Sequence, residues 1–398
     1  DVIDQVLVTF FEKGRSFTGD ETIEISSHGN PLILNRIIDC FLSEGCRLAE
    51  RGEFSFRSFY NGKMDLVQAE SVHDVVTAKN TESASHSLKG LGGGLSRRFL
   101  RIEEEIIAAM SFLEASIDFV EQDIEFADYA EIRAPLERAM LEVQSLVQSY
   151  DVGKNLNRGF KILLLGETNV GKSSLFNCLF SEEKAIVTDL PGTTRDLISS
   201  QAFVGHHLVE YSDSAGLRET DDEIEKIGVG RSLSASKEAD LILYVVDGKK
   251  SDWKSLPETI DPRKSLLVVN KTDLFENNIS KNDFLSRCPD SIQSEDMVLI
   301  SALKNEGVDE LVQKISQKLD SLTEAHSDDV LTQPRHFDHL KKVESFLEQA
   351  LSLMVDGESP DLISQDLGMG LQEVHQIIGK EYDDEVLDRI FSQFCIGK

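Results

Sequence analysis

Residues 166–174 read Gly-Glu-Thr-Asn-Val-Gly-Lys-Ser-Ser, between a strand-like run ending at Leu165 and a helix-like run from Leu175. This is GxxxxGK[ST] in the strand–loop–helix setting that a phosphate loop requires. The backbone N–H groups of Asn169, Val170 and Gly171, with Ser174 opening the helix, can wrap phosphate oxygens at the helix N-terminus. Lys172 supplies a point charge to the β- and γ-phosphates, and the Ser173 hydroxyl can ligate Mg²⁺.

Three shorter motifs follow in order. Asp213-Ser214-Ala215-Gly216 closes a short strand, where a carboxylate can hold the Mg²⁺ shell and a glycine N–H can sense the γ-phosphate. Asn270-Lys271-Thr272-Asp273 follows the strand Leu266–Val269. Its Asp273 can accept from the guanine N1–H and 2-amino group, a pair that adenine does not offer. Ser301-Ala302-Leu303 follows the next strand and can present a backbone N–H to guanine O6. Each alone is an ordinary loop; together, in this order, they point to GTP or GDP rather than ATP.

Pro191-Gly192-Thr193-Thr194-Arg195-Asp196 lies between them. Either threonine can complete the Mg²⁺ shell, which would make this a switch loop, and a capped turn is the plainer alternative. The residue after DxxG is Leu217, which cannot orient water as a glutamine would. The acidic run Asp221-Asp222-Glu223-Ile224-Glu225 is the natural substitute. The Asn169 amide oxygen can ligate a monovalent cation beside the phosphates or simply brace the loop.

Around these loops, residues 158–320 alternate apolar strands (Ile162–Leu165, Leu241–Val246, Leu266–Val269, Met297–Ile300) with amphipathic helices, the pattern of a mostly parallel sheet wrapped by helices. Residues 63–157 are helical in period, with Ile102, Ile106, Met110, Leu113 and Ile117 on one stripe and Glu103, Glu104 and Glu105 off it. Helical texture returns in 321–398, over Phe337–Val355, Asp361–Ile378 and Asp384–Ile396. The expected architecture is therefore an α/β phosphate-loop GTPase domain, 158–320, inserted into an all-α domain made of 63–157 and 321–398. Residues 1–62 mix strand-like runs with a helix-like stretch, Pro31–Ser43, and read as a partial α+β domain. With no initiator Met and a strand-like run from Val6, a preceding segment is expected. Gly90-Leu91-Gly92-Gly93-Gly94 follows no strand and reads as a hinge or a weakened helix, not a nucleotide loop.

The net charge is −30, and both flanks are more acidic than the centre. Such a surface repels phosphate backbones, so any RNA would be held chiefly by a basic partner. Five scattered cysteines without a CxxC pair, and no histidine cluster at metal spacing, imply a reduced cytoplasmic protein without structural zinc. No apolar run is long enough to span a membrane.

The phosphate-loop Asn169, GTTRD at 192–196, DSAGLR at 213–218 and the terminal Phe394-Cys395-Ile396-Gly397-Lys398 together resemble the MnmE (TrmE) family. Arg51-Gly52-Glu53-Phe54, Lys63-Met64-Asp65-Leu66-Val67-Gln68-Ala69-Glu70 and Ile117-Asp118-Phe119 extend the resemblance over essentially the whole chain. Ser27, Asn30, Val120, Ser214 and Leu303 depart from the family's usual residues. The resemblance implies a homodimeric, K⁺-activated GTPase of tRNA modification with a folate-binding N-terminal domain. It would act with the FAD-binding partner MnmG to place an aminomethyl-type group at C5 of the wobble uridine, drawing on a tetrahydrofolate. Carried over by position, Asn169 with the carbonyls of Thr188, Leu190 and Thr193 would hold K⁺. Ser173 and Thr194 would hold Mg²⁺, and Glu225 would orient the attacking water. Glu24, Lys63 and Lys398 would contact the folate. Cys395 would act near the folate or be a buried helix cysteine. A ribosome-assembly GTPase switch with the same nucleotide domain is the competing reading, but it would call for a basic appendage.

Overall fold

The computed structural model describes residues 2–119, 129–181, 200–213, 236, 238–250, 253, 261–275, 279–289, 292–324 and 329–397. They form two compact units: Asp1–Ala78, Ser83–Tyr150 and Asp329–Lys398 in one, Lys79–Glu82 and Asp151–Asp328 in the other.

The chain opens with antiparallel strands β1 (Leu7–Phe11) and β2 (Thr22–Ser26). Helix α1 (Pro31–Ser43) follows, and Asn30 caps it: its side chain accepts from Leu32 N at 2.9 Å, ahead of proline at the first helical position. Asn30, a departure from the family pattern, thus has a local physical role. Next come α2 (Glu53–Tyr60) and α3 (Leu66–Thr77). The latter starts in a capping box, with Asp65 Oδ1 accepting from Gln68 N and Gln68 Oε1 accepting from Asp65 N. Helix α4 (Thr81–Leu91) stops in the glycine run and α5 (Gly94–Phe119) resumes beyond it, so that run is a break between helices. Helix α6 (Tyr129–Arg158) leads to the sheet.

The second unit runs β3 (Phe160–Leu165), α7 (Lys172–Ser181), β4 (Ser200–Val204), β5 (His207–Asp213), β6 (Leu241–Asp247), β7 (Ser265–Asn270), α8 (Asn282–Leu285), β8 (Met297–Leu299) and α9 (Val308–Glu324). The strand order is β4-β5-β3-β6-β7-β8, with β4 antiparallel to β5 and the other pairings parallel. Strand β7 is buried at every residue, as expected of a central strand covered on both faces. The phosphate loop leaves the C-terminal end of β3, with β5 on one side and β6 on the other, where open α/β sheets form their ligand crevice.

The chain then returns to the first unit as α10 (Pro334–Asp356), α11 (Pro360–Ile378) and α12 (Asp384–Phe391). Its core joins Phe99, Ile102, Ile106 and Leu113 of α5 to Leu136 and Val143 of α6, Leu340 and Leu347 of α10, and Leu367 and Val374 of α11. Residues from before and after the α/β unit therefore fill one interior, each large buried aliphatic contributing about 2 kcal/mol.

Two expectations are corrected. Glu103, placed off the apolar stripe, is buried, where its carboxylate accepts from His375 Nε2 at 2.8 Å and Lys380 Nζ at 2.6 Å. The last helix ends at Phe391 rather than reaching Ile396, because Ile396 forms an antiparallel bridge to Arg51. Among the described residues no helix is long and apolar enough to cross a membrane.

Candidate functional site: the nucleotide loops

Backbone geometry explains the glycines of the phosphate loop. A Cβ on Gly166 would lie 2.2 Å from Val245 O, and one on Gly171, at φ +98°, would lie 2.2 Å from Asn270 Nδ2. Asn169 adopts φ 63°, a left-handed conformation that Asn tolerates better than most residues. Its side chain is exposed at the loop's turn. Lys172 reaches back across the loop, its Nζ donating to the carbonyls of Gly166 and Glu167 at 2.8 Å each. Ser173 and Ser174 are exposed in the first turn of α7. This donor set fits an anion: an ammonium on a flexible stem, a loop held open by glycines, and a helix N-terminus carrying a hydroxyl suited to Mg²⁺.

The loops that follow β7 and β8 are tied to the phosphate loop through Asn270. Its side chain is buried, donating from Nδ2 to Val170 O at 2.8 Å and accepting at Oδ1 from Ala302 N at 3.0 Å. Three loops thus share one amide. Asp273 Oδ1 accepts from Ser301 Oγ at 2.7 Å, which fixes the position of this carboxylate. Lys271, at φ 67°, donates to Asp247 Oδ2 at 2.8 Å. Burial opposes the charge on Asp247, but Lys271 outweighs it and holds the carboxyl below its ordinary range. In the Ser301-Ala302-Leu303 segment, expected to present a backbone N–H to guanine O6, the Ala302 N–H is engaged by Asn270, and the Leu303 side chain is exposed.

Thr188, Leu190, Thr193, Thr194, Ser214, Ala215, Gly216, Glu225 and Lys398 lie outside the described residues, as does the side chain of Asp213. Glu24 is exposed on β2 opposite Thr9, and Lys63 donates to Gly14 O at 2.9 Å. No contact joins these two among the described residues. Cys395 is exposed and lies beyond α12, so it is not a buried helix cysteine. The two terminal motifs do meet: Gly52 N donates to Cys395 O at 3.5 Å, and a Cβ on Gly52 would stand 2.7 Å from Phe391 O. Glu70, last residue of the second motif, is structural. Arg335 and His336 bind it at 2.9 and 2.6 Å and, despite the opposing cost of burial, hold its pKa at about 2.

Sequence reasoning missed two features. One is the Asn270 strap, whose only signal was the Asn opening its motif. The other corrects the expectation of no histidine cluster: His206 and His207 at the β4–β5 turn lie beside Glu82, far earlier in the chain.

Residues 66–395 match the family described as MnmE helical domain, and residues 1–63 match GTP-binding protein TrmE N-terminus. The chain is 36% identical over 400 residues to the tRNA modification GTPase MnmE of Thermotoga petrophila, covering 100% of this chain and 88% of that protein. It is 38% identical over 403 residues to the protein of the same name from Natranaerobius thermophilus, covering 100% and 86%.

Proposed function

The chain belongs to the MnmE (TrmE) family, and from that premise we propose that it is a K⁺-activated GTPase of tRNA modification. In this reading it works as a homodimer with the FAD-dependent partner MnmG. Together they install an aminomethyl-type group at C5 of the wobble uridine from a tetrahydrofolate one-carbon unit. The observation that carries the reading is the likeness to proteins named tRNA modification GTPase MnmE along 100% of this chain and 88% and 86% of theirs.

The chain's own residues divide the work. Lys172 exchanges the carbonyls of Gly166 and Glu167 for phosphate oxygens, and Asp273, held by Ser301, selects guanine. Asn270 keeps base and phosphate loops in register. Because Leu217 cannot orient water, Glu225 takes that role. Asn169, with Thr188, Leu190 and Thr193, is the K⁺ set, and Ser173, Thr194 and Asp213 the Mg²⁺ set. When bound, these cations neutralise charge that develops on the phosphates in the transition state. Glu24, Lys63 and Lys398 offer an acceptor and two cations for a pterin and its anionic tail. The strongly acidic surface leaves most of the tRNA contact to the partner, and the same acidity disfavours a ribosome-assembly switch.

GTP turnover by the purified chain is expected to rise many-fold when K⁺ replaces Na⁺, and Glu225→Ala to retain GTP affinity while losing kcat. Equal turnover in the two salts would remove the potassium mechanism.

A further inference from the structure

The second unit carries a group of metal-ligating side chains away from the nucleotide loops. His207 is fully buried at the start of β5. Its Nε2 lies 2.9 Å from Asp320 Oδ1 on α9, which fixes that nitrogen as the N–H donor to the carboxylate. Its Nδ1 is buried without a hydrogen bond among the described residues and lies 3.4 Å from Glu82 Oε2. The ring of His206 lies beside it, tilted by 40° with centroids 4.0 Å apart, and His206 Nε2 is 3.3 Å from the same Asp320 oxygen. One ligand atom from each of Glu82, His206 and His207 falls within 4.8 Å of the other two.

We propose that Glu82, His206 and His207 form a binding site for a divalent transition metal of the Zn²⁺ or Co²⁺ class, with Asp320 as the positioning residue. Two observations converge on this. A carboxylate that takes the N–H of one ring nitrogen presents the other nitrogen's lone pair to a metal, the usual arrangement behind a ligating histidine. The 3.4 Å between His207 Nδ1 and Glu82 Oε2 is long for a hydrogen bond. It matches the ligand-to-ligand edge of about 3.4 Å in a tetrahedral site with bonds near 2.1 Å. The donors are also the right kind: two imidazoles and one carboxylate suit Zn²⁺ and Co²⁺ rather than Mg²⁺, which takes oxygen ligands. The electrostatics agree. Two carboxylates face the His207 ring, Glu82 Oε2 at 3.4 Å from Nδ1 and Asp320 Oδ1 at 2.9 Å from Nε2, so the surroundings of the ring suit a cation. His206 is exposed, leaving an approach for the ion and an open fourth position for water.

The sequence does not announce this site because its ligands come from a helix start, a strand turn and, for the positioning carboxylate, a third element. It is also independent of the Mg²⁺ and K⁺ residues of the nucleotide loops.

The test is Co²⁺ titration of the whole nucleotide-free chain, residues 1–398, in millimolar Mg²⁺, with cysteines alkylated beforehand, followed by visible absorption and by equilibrium dialysis. The site predicts one equivalent of Co²⁺ with d–d bands of low coordination number, displaced stoichiometrically by Zn²⁺. His206→Ala, at an exposed position, and Glu82→Gln should each weaken binding at least tenfold while thermal melting without metal stays close to wild type. Asp320→Asn should weaken affinity about 10–100-fold and leave the band positions in place. No stoichiometric Co²⁺ uptake by the native chain, or uptake unchanged in His206→Ala and Glu82→Gln, overturns the proposal and leaves His207 as an imidazolium held between two carboxylates.

Discussion

The chemistry turns on a few side chains whose neighbours fix their geometry. Asn270 is the clearest case, since a single buried amide holds Val170 of the phosphate loop and Ala302 of the loop after β8. Removing it leaves a buried acceptor and a buried donor unmatched, each costing about 1–3 kcal/mol. Asn270→Ala is therefore expected to lower GTP and GDP affinity by at least tenfold and to lower the melting temperature, checked by nucleotide titration and a thermal melt. A variant with unchanged affinity would mean that the loops hold their register without the strap. At this scale residue types and spacing were legible in the sequence, but their partners were not. Lys172, Ser173 and Asp273 follow from motif spacing, whereas the Ser301 to Asp273 bond and the Asn270 strap join residues from separate loops.

Among the elements, α3 and α10 show how the helical unit is pinned. Glu70 is bound by Arg335 and His336, and Asp74, one turn further on, accepts from Gln333 Nε2 at 2.9 and 2.8 Å. Burial pushes the Asp74 carboxyl up to about 6, more than the Gln333 bonds pull it down. A raised carboxyl contributes most stability below its unfolded pKa, near 4, and loses that contribution as pH rises through about 6. The two-unit difference corresponds to about 3 kcal/mol. Asp74→Asn should thus melt at higher temperature than wild type at pH 8, with the gap closing towards pH 4.5. A gap independent of pH would show that Asp74 ionises freely. Most of these elements were legible: the 3.6-residue apolar period, the Asn30-Pro31 start and the glycine break all have local causes. The end of α12 was not. Periodicity continues to Ile396, but that residue pairs with Arg51 from the far end of the chain.

For the whole molecule, the insertion pattern was visible because two helical textures flank one α/β texture, and the core confirms that both flanks fill one interior. The tertiary metal-ligand cluster at Glu82, His206 and His207 was invisible for the opposite reason, since no local period links its members. The charge of −30 makes a prediction at this scale. Alone, the chain should retain little tRNA at 150 mM salt, and filter binding should recover tRNA only when the proposed partner is added. Tight, salt-sensitive binding by the chain alone would contradict that division of labour.

The most direct measurement is mass analysis of wobble uridines in tRNA from cells lacking this gene, complemented with the wild-type chain or with Lys172→Ala. The account predicts that the C5 modification disappears in the deletion, returns with the wild-type chain and stays absent with Lys172→Ala. Normal modification in the deletion strain would contradict the account at its centre.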